Sequence, residues 1–249
     1  MRLSRVYTDQ PLRIGGTVPL SGATAAHLTR VLRLGRGAPL VLFNGQGGEY
    51  AATLESEGRE RAVCAVHAFD PVEREAIRPI TVVQGIARGD RMDTIVQKCT
   101  ELGASRVIPL AGARSVVRTA GESAERKRSH WLAVAISACE QCGRNRIPRI
   151  DAPLPIDAAL AGARANEVRV LLEPDASLPL AERAAALRPA ESLALLVGPE
   201  GGLSDAERAL ALGDGFVSCG LGPRVLRTET AALAAISVVQ AIAGDFRRL

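Results

Sequence analysis

Leu195–Glu207 reads LLVGPEGGLSDAE, and this stretch indicates the fold class of the chain. The apolar run Leu193–Val197 predicts a buried strand, and the glycines and proline after it predict a tight turn. Ser204 and Glu207 have the S-x-x-E spacing of a capping box, which predicts a helix beginning at Asp205. A strand, a glycine-rich turn and a helix in this order are typical of a ligand loop in an α/β protein.

The chemistry of this loop does not suit a phosphate ligand. A phosphate loop offers backbone N–H groups and usually a lysine, but Glu200 lies at its centre and the only lysines of the chain are Lys98 and Lys127. The glycine spacing also differs from G-x-G-x-x-G. A ligand with hydroxyl or amine donors, such as a ribose, an adenine or an amino-acid group, suits the carboxylate better. The alternative is that Glu200 only occupies a tight turn.

Two further strand ends carry similar features. CGLGPRVLRTETAALAAIS, from Cys219 to Ser237, again follows a predicted strand with glycines and a proline, and it predicts Thr228 as the N-cap of the last helix. The third strand end is Leu172–Pro174. The carboxyl ends of parallel strands lie at one edge of a sheet, where α/β folds bind ligands. The three loops therefore predict one pocket.

The composition of the 249 residues, 47% hydrophobic and 23% charged, predicts a soluble globular protein. The first residues lack the apolar core of a signal peptide, and the longest apolar stretch, Ala231–Ala243, is too short to cross a bilayer. Five scattered cysteines favour a reducing compartment. We therefore expect a cytoplasmic protein with no membrane partner.

Positive charge is concentrated in two segments, although the net charge is only +4. Six arginines and one acidic residue lie in residues 1–36, and eight basic and three acidic residues lie between Arg114 and Arg149. Such blocks favour a phosphate-rich partner such as nucleic acid. The alternative is an ordinary solvated surface, since this chain uses arginine for nearly every positive charge.

Short runs broken by glycine turns up to about residue 70 predict a small β-barrel, with strands over 38–43, 49–54 and 60–69. Strands and helices then alternate, which predicts a parallel sheet with helices on both faces. The predicted strands are 80–86, 106–110, 168–173, 192–197 and 216–221, and the predicted helices are 91–102, 124–142, 178–187, 205–212 and 229–243. The last helix is apolar on nearly every side, so we expect it to be buried within the fold or to form the interface of a homodimer.

Cys139 and Cys142 form a C-x-x-C pair, which raises the alternatives of a zinc or a redox site. A zinc site needs about four ligands, and no second pair lies at a suitable spacing. Both cysteines also fall within a predicted helix, and the three histidines are isolated in the sequence. We therefore expect no metal.

Together these motifs resemble the cofactor region of the SPOUT methyltransferases, and specifically of their RsmE group. LLVGPEGGLSDAE and LGPRVLRTETAALAAIS carry the resemblance most strongly. It extends to HLTRVLRLGRGAPLVLFNGQGGEY (residues 27–50), which is similar to the PUA-like barrel of that group, and to QKCTELGASRVIPL (97–110) and ACEQCGRNRIP (138–148). Arg88 departs from the lysine expected at its position, although it keeps the charge.

The resemblance implies methylation of N3 of a uridine in 16S ribosomal RNA of the small subunit, with S-adenosylmethionine as the cofactor. It implies a PUA-like RNA-binding domain over residues 1–72 and a SPOUT methyltransferase domain over residues 73–249. The second domain would hold a parallel sheet and a C-terminal trefoil knot. The residues that would bind the cofactor are Leu172, Glu173, Pro174, Gly198, Pro199, Glu200, Gly201, Leu221, Gly222, Val225, Leu226 and Thr230.

Loss of the N3 proton leaves negative charge on O2 and O4 of the uracil, and a guanidinium can stabilise that charge without acting as an acid at neutral pH. Arg227 is the first candidate for this role and Arg224 the second. Glu229 is a candidate proton acceptor or partner of Arg227; the alternative is that it only favours a helix N-terminus. The candidates for RNA contacts are Arg2, Arg5, Arg30, Arg33, Arg114, Arg118, Arg144 and Arg146.

Two other functions stay open at this point. A kinase or dehydrogenase would also use loops at strand ends, although the missing phosphate-loop lysine and G-x-G-x-x-G pattern disfavour both. A ribosome-associated binding module without chemistry would account for the basic segments alone.

Overall fold

The computed structural model describes residues 3–57, 61–114 and 121–247. The chain divides into two compact units. The first comprises Met1–Glu75 and Cys139–Ile147, and the second comprises Ala76–Ala138 and Pro148–Leu249. The first unit therefore includes a short segment from the middle of the chain.

Five strands form a mixed sheet in the first unit. They are β1 (Ser4–Tyr7), β2 (Thr17–Ser21), β3 (Pro39–Phe43), β4 (Glu49–Glu57) and β5 (Arg61–Asp70). The sheet order is β1-β3-β4-β5-β2, with β1 parallel to β3 and the other neighbours antiparallel. Helix α1 (Gly22–Ala26) and a π-helical turn (His27–Val31) connect β2 to β3. The strands predicted over residues 38–69 are confirmed as β3, β4 and β5, whereas β1 and β2 were not predicted.

Alternation of apolar and polar residues turns one face of this sheet towards a core. In β2, Val18 and Leu20 are buried while their neighbours are exposed, and in β3, Leu40 and Leu42 are fully buried. Leu28 of the π-helical turn belongs to the same cluster. The small first unit therefore has its own apolar core.

Six parallel strands form the sheet of the second unit. They are β6 (Ile80–Gly85), β7 (Arg106–Leu110), β8 (Arg149–Ile150), β9 (Val168–Leu172), β10 (Leu193–Val197) and β11 (Val217–Cys219). Their order is β11-β9-β10-β6-β7-β8, and every pairing is parallel. The predicted parallel sheet is confirmed. β8 was not predicted, because two residues are too few to show a pattern.

Helices cover both faces of the parallel sheet, as predicted. They are α2 (Arg91–Glu101), α3 (Glu122–Cys142), α4 (Ile156–Ala163), α5 (Leu180–Ala185), α6 (Asp205–Gly213) and α7 (Thr228–Ala243). Residues of α2, α3, α5 and α7 join one apolar cluster, and residues of α4 and α6 join the other. Along β10, Leu195 faces the first cluster and Leu196 faces the second. Both faces are thus buried, which explains the unbroken apolar runs of these strands.

Gly103 ends α2, as the sequence predicted. The Gly103 N–H donates to the Thr100 carbonyl and the Ala104 N–H donates to the Cys99 carbonyl, which is the bonding of a Schellman motif. Gly103 has a φ of +91°, and a Cβ there would lie 2.8 Å from the Ala76 Cβ. Both the backbone angle and the space therefore require glycine.

The last helix, α7, packs on the sheet with one side. Ala232, Ala235, Ile236 and Val239 are fully buried in the core, while Leu233 and other apolar neighbours are half-buried.

Cys139 and Cys142 both lie on α3, as predicted, and all five cysteines are free thiols.

Candidate active site

A pocket of about 300 Å³ lies at the carboxyl edge of the parallel sheet, where β9, β10 and β11 end. These three strands are neighbours in the sheet, so the loops that follow them meet. The lining residues are Leu171, Leu172, Glu173, Pro174, Val197, Gly198, Pro199, Glu200, Gly202, Leu203, Arg208, Cys219, Leu221, Arg224, Val225, Leu226 and Ala231. The three loops that the sequence predicted to form one pocket do so.

Most of the residues predicted to bind the cofactor line this pocket, and so does Arg224. The exceptions are Gly201, Gly222 and Thr230. The Gly201 carbonyl accepts a hydrogen bond from the Arg114 guanidinium at 3.1 Å, and Thr230 is exposed on α7. Arg227, also exposed, is likewise outside the lining, as is Glu229.

The Gly198–Gly202 loop is fixed by one buried hydroxyl and by close backbone packing. The Thr228 hydroxyl donates to the Gly198 carbonyl at 2.6 Å and accepts from the Gln84 amide at 2.8 Å. Gly85 ends β6 beneath this loop, and a Cβ on Gly85 would overlap the Pro199 nitrogen and lie 2.7 Å from the Gly198 carbonyl carbon. Atoms of β6 and α7 therefore set the position of the loop.

The capping box predicted at the start of α6 is confirmed. The Ser204 hydroxyl accepts the Glu207 N–H, and the Glu207 carboxylate accepts the Ser204 N–H at 2.8 Å. The other Glu207 oxygen accepts the Ala113 N–H at 2.7 Å. The helix that follows the pocket loop is thus satisfied by its own side chains, as the sequence indicated.

Glu200 holds the segment that follows β6. One of its oxygens accepts the Arg88 N–H and the Arg91 guanidinium, both at 2.9 Å. Burial alone would raise the pKa of Glu200, but these hydrogen bonds and the charge of Arg91 lower the pKa below its ordinary value. Glu200 is therefore ionised at neutral pH. Its predicted role towards a cofactor stays a prediction, and the structure adds a tethering role.

Glu173 is a second ionised carboxylate in the pocket wall. It accepts two hydrogen bonds from the Arg208 guanidinium, at 2.6 and 3.1 Å, and one from the Ser218 hydroxyl. Burial raises the pKa of Glu173, but these partners outweigh burial and lower it. The wall thus carries fixed negative charge close to apolar side chains.

The start of α7 differs from the prediction. Arg227, and not Thr228, occupies the N-cap position, and the Arg227 side chain makes no capping hydrogen bond. Thr228 is the first helical residue, and its hydroxyl is bonded to the Gly198 carbonyl and the Gln84 amide and caps no N–H of α7. The prediction of Thr228 as the N-cap is wrong by one residue.

Glu229 lies in the first turn of α7 and faces Arg91. Its Oε1 is 3.9 Å from the Arg91 Nε, and its buried Oε2 has no hydrogen-bond partner in the part of the chain that the structure describes. Within the described residues Glu229 makes no ion pair with Arg227, so the suggested anchoring of Arg227 by Glu229 is not seen. Arg91 was missed by the sequence analysis. β6 ends at the same sheet edge as β9 to β11, and that strand end was the available signal.

Two of the arginines predicted to contact RNA are buried. Arg5 pairs with Glu49, donates to the Asn145 side chain at 2.6 Å and lies 4.9 Å from the Phe43 ring centre. Arg144 pairs with Glu75 at 2.5 Å and is only 3% exposed. Both guanidiniums are therefore used inside the first unit, and we remove Arg5 and Arg144 from the set of proposed RNA contacts.

The other predicted RNA contacts keep accessible side chains where they are described. Arg30, Arg33, Arg114 and Arg146 are exposed, and Arg146 forms an ion pair with Glu73 at 3.2 Å. Arg2 and Arg118 lie outside the described residues.

Over residues 3–57, 61–114 and 121–247, no helix combines the length and the apolar character that a membrane span requires. The same ranges contain no group of three or more His, Cys, Asp or Glu residues arranged to hold a metal ion.

Sequence profiles identify both parts of the chain. The profile of an RNA methyltransferase domain matches residues 73–240, and that of an RNA methyltransferase PUA domain matches residues 20–66. Ribosomal RNA small subunit methyltransferase E of Bacillus subtilis is 33% identical over 246 residues, which cover 93% of each chain. The protein of the same name from Mycobacterium tuberculosis is 32% identical over 94% of this chain and 89% of its own.

Solved structures agree with these relatives. A protein of Legionella pneumophila with bound SAM is 37% identical and superimposes with a TM-score of 0.92 over 98% of this chain and 100% of its own. Ribosomal RNA small subunit methyltransferase E of Neisseria gonorrhoeae, bound to S-adenosylmethionine, is 33% identical, with a TM-score of 0.88 and the same coverage. The chain therefore belongs to the RNA methyltransferase family, in the group of ribosomal RNA small subunit methyltransferase E.

Proposed function

We propose that this protein transfers a methyl group from S-adenosylmethionine to N3 of a uridine in the 16S ribosomal RNA of the small subunit. The observation that carries the proposal is the pocket at the ends of β9, β10 and β11, which combines apolar walls with two ionised carboxylates. The names of the relatives and the S-adenosylmethionine bound in similar structures support it.

The residues of the pocket suit this cofactor. Leu171, Val197 and Leu226 offer apolar surface for an adenine ring, and Glu173 and Glu200 place negative charge near a cationic sulfonium and amine. Neither lysine of the chain lines the pocket, and of its two arginines Arg208 is already paired with Glu173, so an anionic triphosphate would lack the lysine of a phosphate loop. Gly201, Gly222 and Thr230 do not line the pocket, and their contact with the cofactor stays a prediction.

The chain has to supply two functions towards the uracil. When bound, S-adenosylmethionine supplies a methyl group already activated on a sulfonium, so no metal is required. Arg224 lines the pocket and Arg227 is exposed three residues further along the chain, and a guanidinium close to the reacting base would stabilise the charge on the uracil oxygens as the N3 proton leaves. We assign this role first to Arg227.

Glu229 is the candidate acceptor of the N3 proton. Among the described residues its buried Oε2 has no hydrogen-bond partner, so this oxygen is available to accept a hydrogen from a ligand. Its position in the first turn of α7 is adjacent to Thr228, which contacts the pocket loop.

Transfer of labelled methyl groups to small subunits purified from cells that lack this protein tests the proposal. Arg227→Ala should abolish transfer while the affinity for S-adenosylmethionine, measured by calorimetry, stays within about twofold. Arg188→Ala, an exposed arginine outside the pocket, is the matched control. Parallel loss of transfer and affinity would reassign Arg227 to the pocket. Binding of ATP or NAD instead of S-adenosylmethionine would favour the kinase or dehydrogenase alternative.

Nucleoside mass spectrometry of ribosomal RNA identifies the product. RNA from cells without the protein should lack 3-methyluridine, and transfer to deproteinised RNA or to whole subunits should define the substrate. Absence of any change in methylated nucleosides would favour a binding module without chemistry.

The same proposal covers the wider organisation. Residues 1–72 would form the PUA-like RNA-binding domain and residues 73–249 the SPOUT methyltransferase domain, whose trefoil knot stays a prediction. Arg30, Arg33, Arg114 and Arg146 are exposed and would face the RNA backbone. The half-buried apolar residues of α7 support a homodimer, which light scattering would detect, and ribosomal RNA as the substrate supports a cytoplasmic location.

A further inference from the structure

A second, open cleft lies beside the cofactor pocket. It has a volume of about 670 Å³ and is lined by Arg88, Gly89, Asp90, Arg91, Thr94, Glu200 and Gly201. Most of these residues belong to the segment between β6 and α2 and to the first turn of α2. Glu200 lines both cavities. A ligand in this cleft would therefore approach the cofactor pocket at Glu200.

The cleft is lined by two arginines and two acidic residues, and one of its guanidiniums is free to meet a ligand. The Arg88 guanidinium is exposed and forms no ion pair with any residue of the described ranges, since only its N–H is used by Glu200. The Arg91 guanidinium is paired with Glu200, and 43% of the Arg91 side-chain surface is exposed. Among the described lining residues the acidic ones are Glu200 and Asp90, which is exposed. Arg88 is therefore the group most available to an anion.

Arg91 connects the cleft to the proposed proton acceptor. It lies 2.9 Å from Glu200 and 3.9 Å from Glu229, so one guanidinium links the wall of the cofactor pocket to the first turn of α7. Arg91 thus lies between the cleft and Glu229, whose Oε2 has no hydrogen-bond partner among the described residues. A ligand that enters the cleft and contacts Arg91 would lie next to this carboxylate.

We propose that this cleft receives the target nucleotide, with Arg88 binding its phosphate and Arg91 acting as a positioning residue for Glu229. The inference rests on the proposed function. An RNA base that reacts at a ring atom has to leave its stack, and the nucleotide then needs a pocket that holds both its phosphate and its base beside the methyl donor. The cleft combines a free guanidinium, room for one nucleotide and a wall shared with the cofactor pocket.

Binding of the full-length protein to small subunits from cells that lack it, at several salt concentrations, tests the role of Arg88. Each phosphate contact contributes about 0.7 to 0.9 to the slope of log affinity against log salt, so Arg88→Gln should reduce the slope by about that amount. The KM for subunits should rise roughly tenfold while kcat and the affinity for S-adenosylmethionine change little. Arg188→Gln, in neither cavity, should show none of these effects.

Two further variants keep the inference falsifiable. Thr94→Trp, at an exposed position of α2, should fill the cleft and abolish methyl transfer while S-adenosylmethionine still binds. Arg91→Gln should lower kcat and alter the pH dependence of transfer, and Arg91→Lys should restore part of the activity. Unchanged salt slope and KM in Arg88→Gln, or full activity in Thr94→Trp, would overturn the inference. Failure of the wild-type protein to methylate subunits would instead reject the proposed function.

Discussion

The hydroxyl of Thr228 gives the sharpest prediction about how the pocket is held. It is buried and joins three elements, since it donates to the Gly198 carbonyl after β10 and accepts from Gln84 of β6 while belonging to α7. Thr228→Val keeps the shape of the side chain and removes both hydrogen bonds. We expect lower stability and weaker binding of S-adenosylmethionine together, because the same bonds fix the Gly198–Gly202 loop.

The expected size follows from the two hydrogen bonds. Each is worth about 0.5–1.5 kcal/mol, and the buried groups left behind lose a partner in a place that water does not reach. Turning the Gln84 amide over would not compensate, because it would replace the hydrogen bond of 2.9 Å from its NH2 group to the Gly85 carbonyl by two facing oxygens. We therefore expect a loss of about 2–3 kcal/mol in the free energy of unfolding, which is roughly 4–12 °C in Tm for a chain of this size.

Denaturant titration and calorimetry with S-adenosylmethionine are the assays. Thr17→Val on β2 is the matched control, because that hydroxyl is exposed and its removal should change stability by less than about 0.5 kcal/mol. The affinity of Thr228→Val for the cofactor should fall by about three- to tenfold. A loss of stability without any loss of affinity would show that the hydroxyl does not position the loop, and an unchanged stability would refute the hydrogen-bond argument itself.

Three further predictions concern other parts of the molecule. Gly85→Ala should abolish cofactor binding, because the added Cβ would displace Pro199. In the control Gly213→Ala, no described atom lies within 4 Å of the added Cβ, so stability should change by no more than about 1 kcal/mol. Normal cofactor binding by Gly85→Ala would contradict this packing argument. Burial raises the pKa of Glu49, but the hydrogen bonds and charges of Arg74 and Arg5 outweigh burial and lower the pKa below the ordinary 4.5. The contribution of the ionised Glu49 to the free energy of unfolding should thus be complete above pH 4.5 and disappear as the pH falls through the lower pKa of the folded state. Glu49→Gln should be destabilised by about 1–3 kcal/mol at pH 7, and its stability should converge with that of the wild type in acid denaturation curves. Burial raises the pKa of the Cys64 thiol to about 11, those of Cys99 and Cys139 to about 12, and that of Cys219 above its ordinary value. A thiol reagent at pH 8 should therefore label Cys142, the half-buried cysteine, first, and rapid labelling of the other four would show that the core opens.

The sequence predicted the parts of the fold that depend on local pattern. The apolar strands β6, β7, β9 and β10, the capping box at Ser204 and the glycine stop at Gly103 are all encoded within a few neighbouring residues. The strand-end rule then placed three loops in one pocket, because parallel strands fix where their ends meet. Strands β1, β2 and β8 and helix α4 were not predicted; β8 has only two residues, which are too few to show a pattern.

The fate of individual charges was not predictable in the same way. Arg5 and Arg144 belong to basic segments, yet both are buried and paired with a glutamate. Arg5 pairs with Glu49, 44 residues away in the sequence, and Arg144 pairs with Glu75, 69 residues away. Pairing over such separations depends on the tertiary fold. The same reason explains why Arg91 was missed, since its partners Glu200 and Glu229 lie more than a hundred residues further along the chain.

The segment Cys139–Ile147 has a consequence for synthesis of the protein. It belongs to the first unit, where Asn145 and the Arg144 carbonyl accept hydrogen bonds from Arg5, although it follows Glu75 by about seventy residues. At ribosomal rates of 5–20 residues per second, roughly 4–14 s would pass between the synthesis of the N-terminal sheet and the synthesis of these acceptors. A nascent chain stopped near residue 80 would therefore leave the Arg5 guanidinium short of partners, and a chaperone or early protease would meet the N-terminal region in an unfinished state.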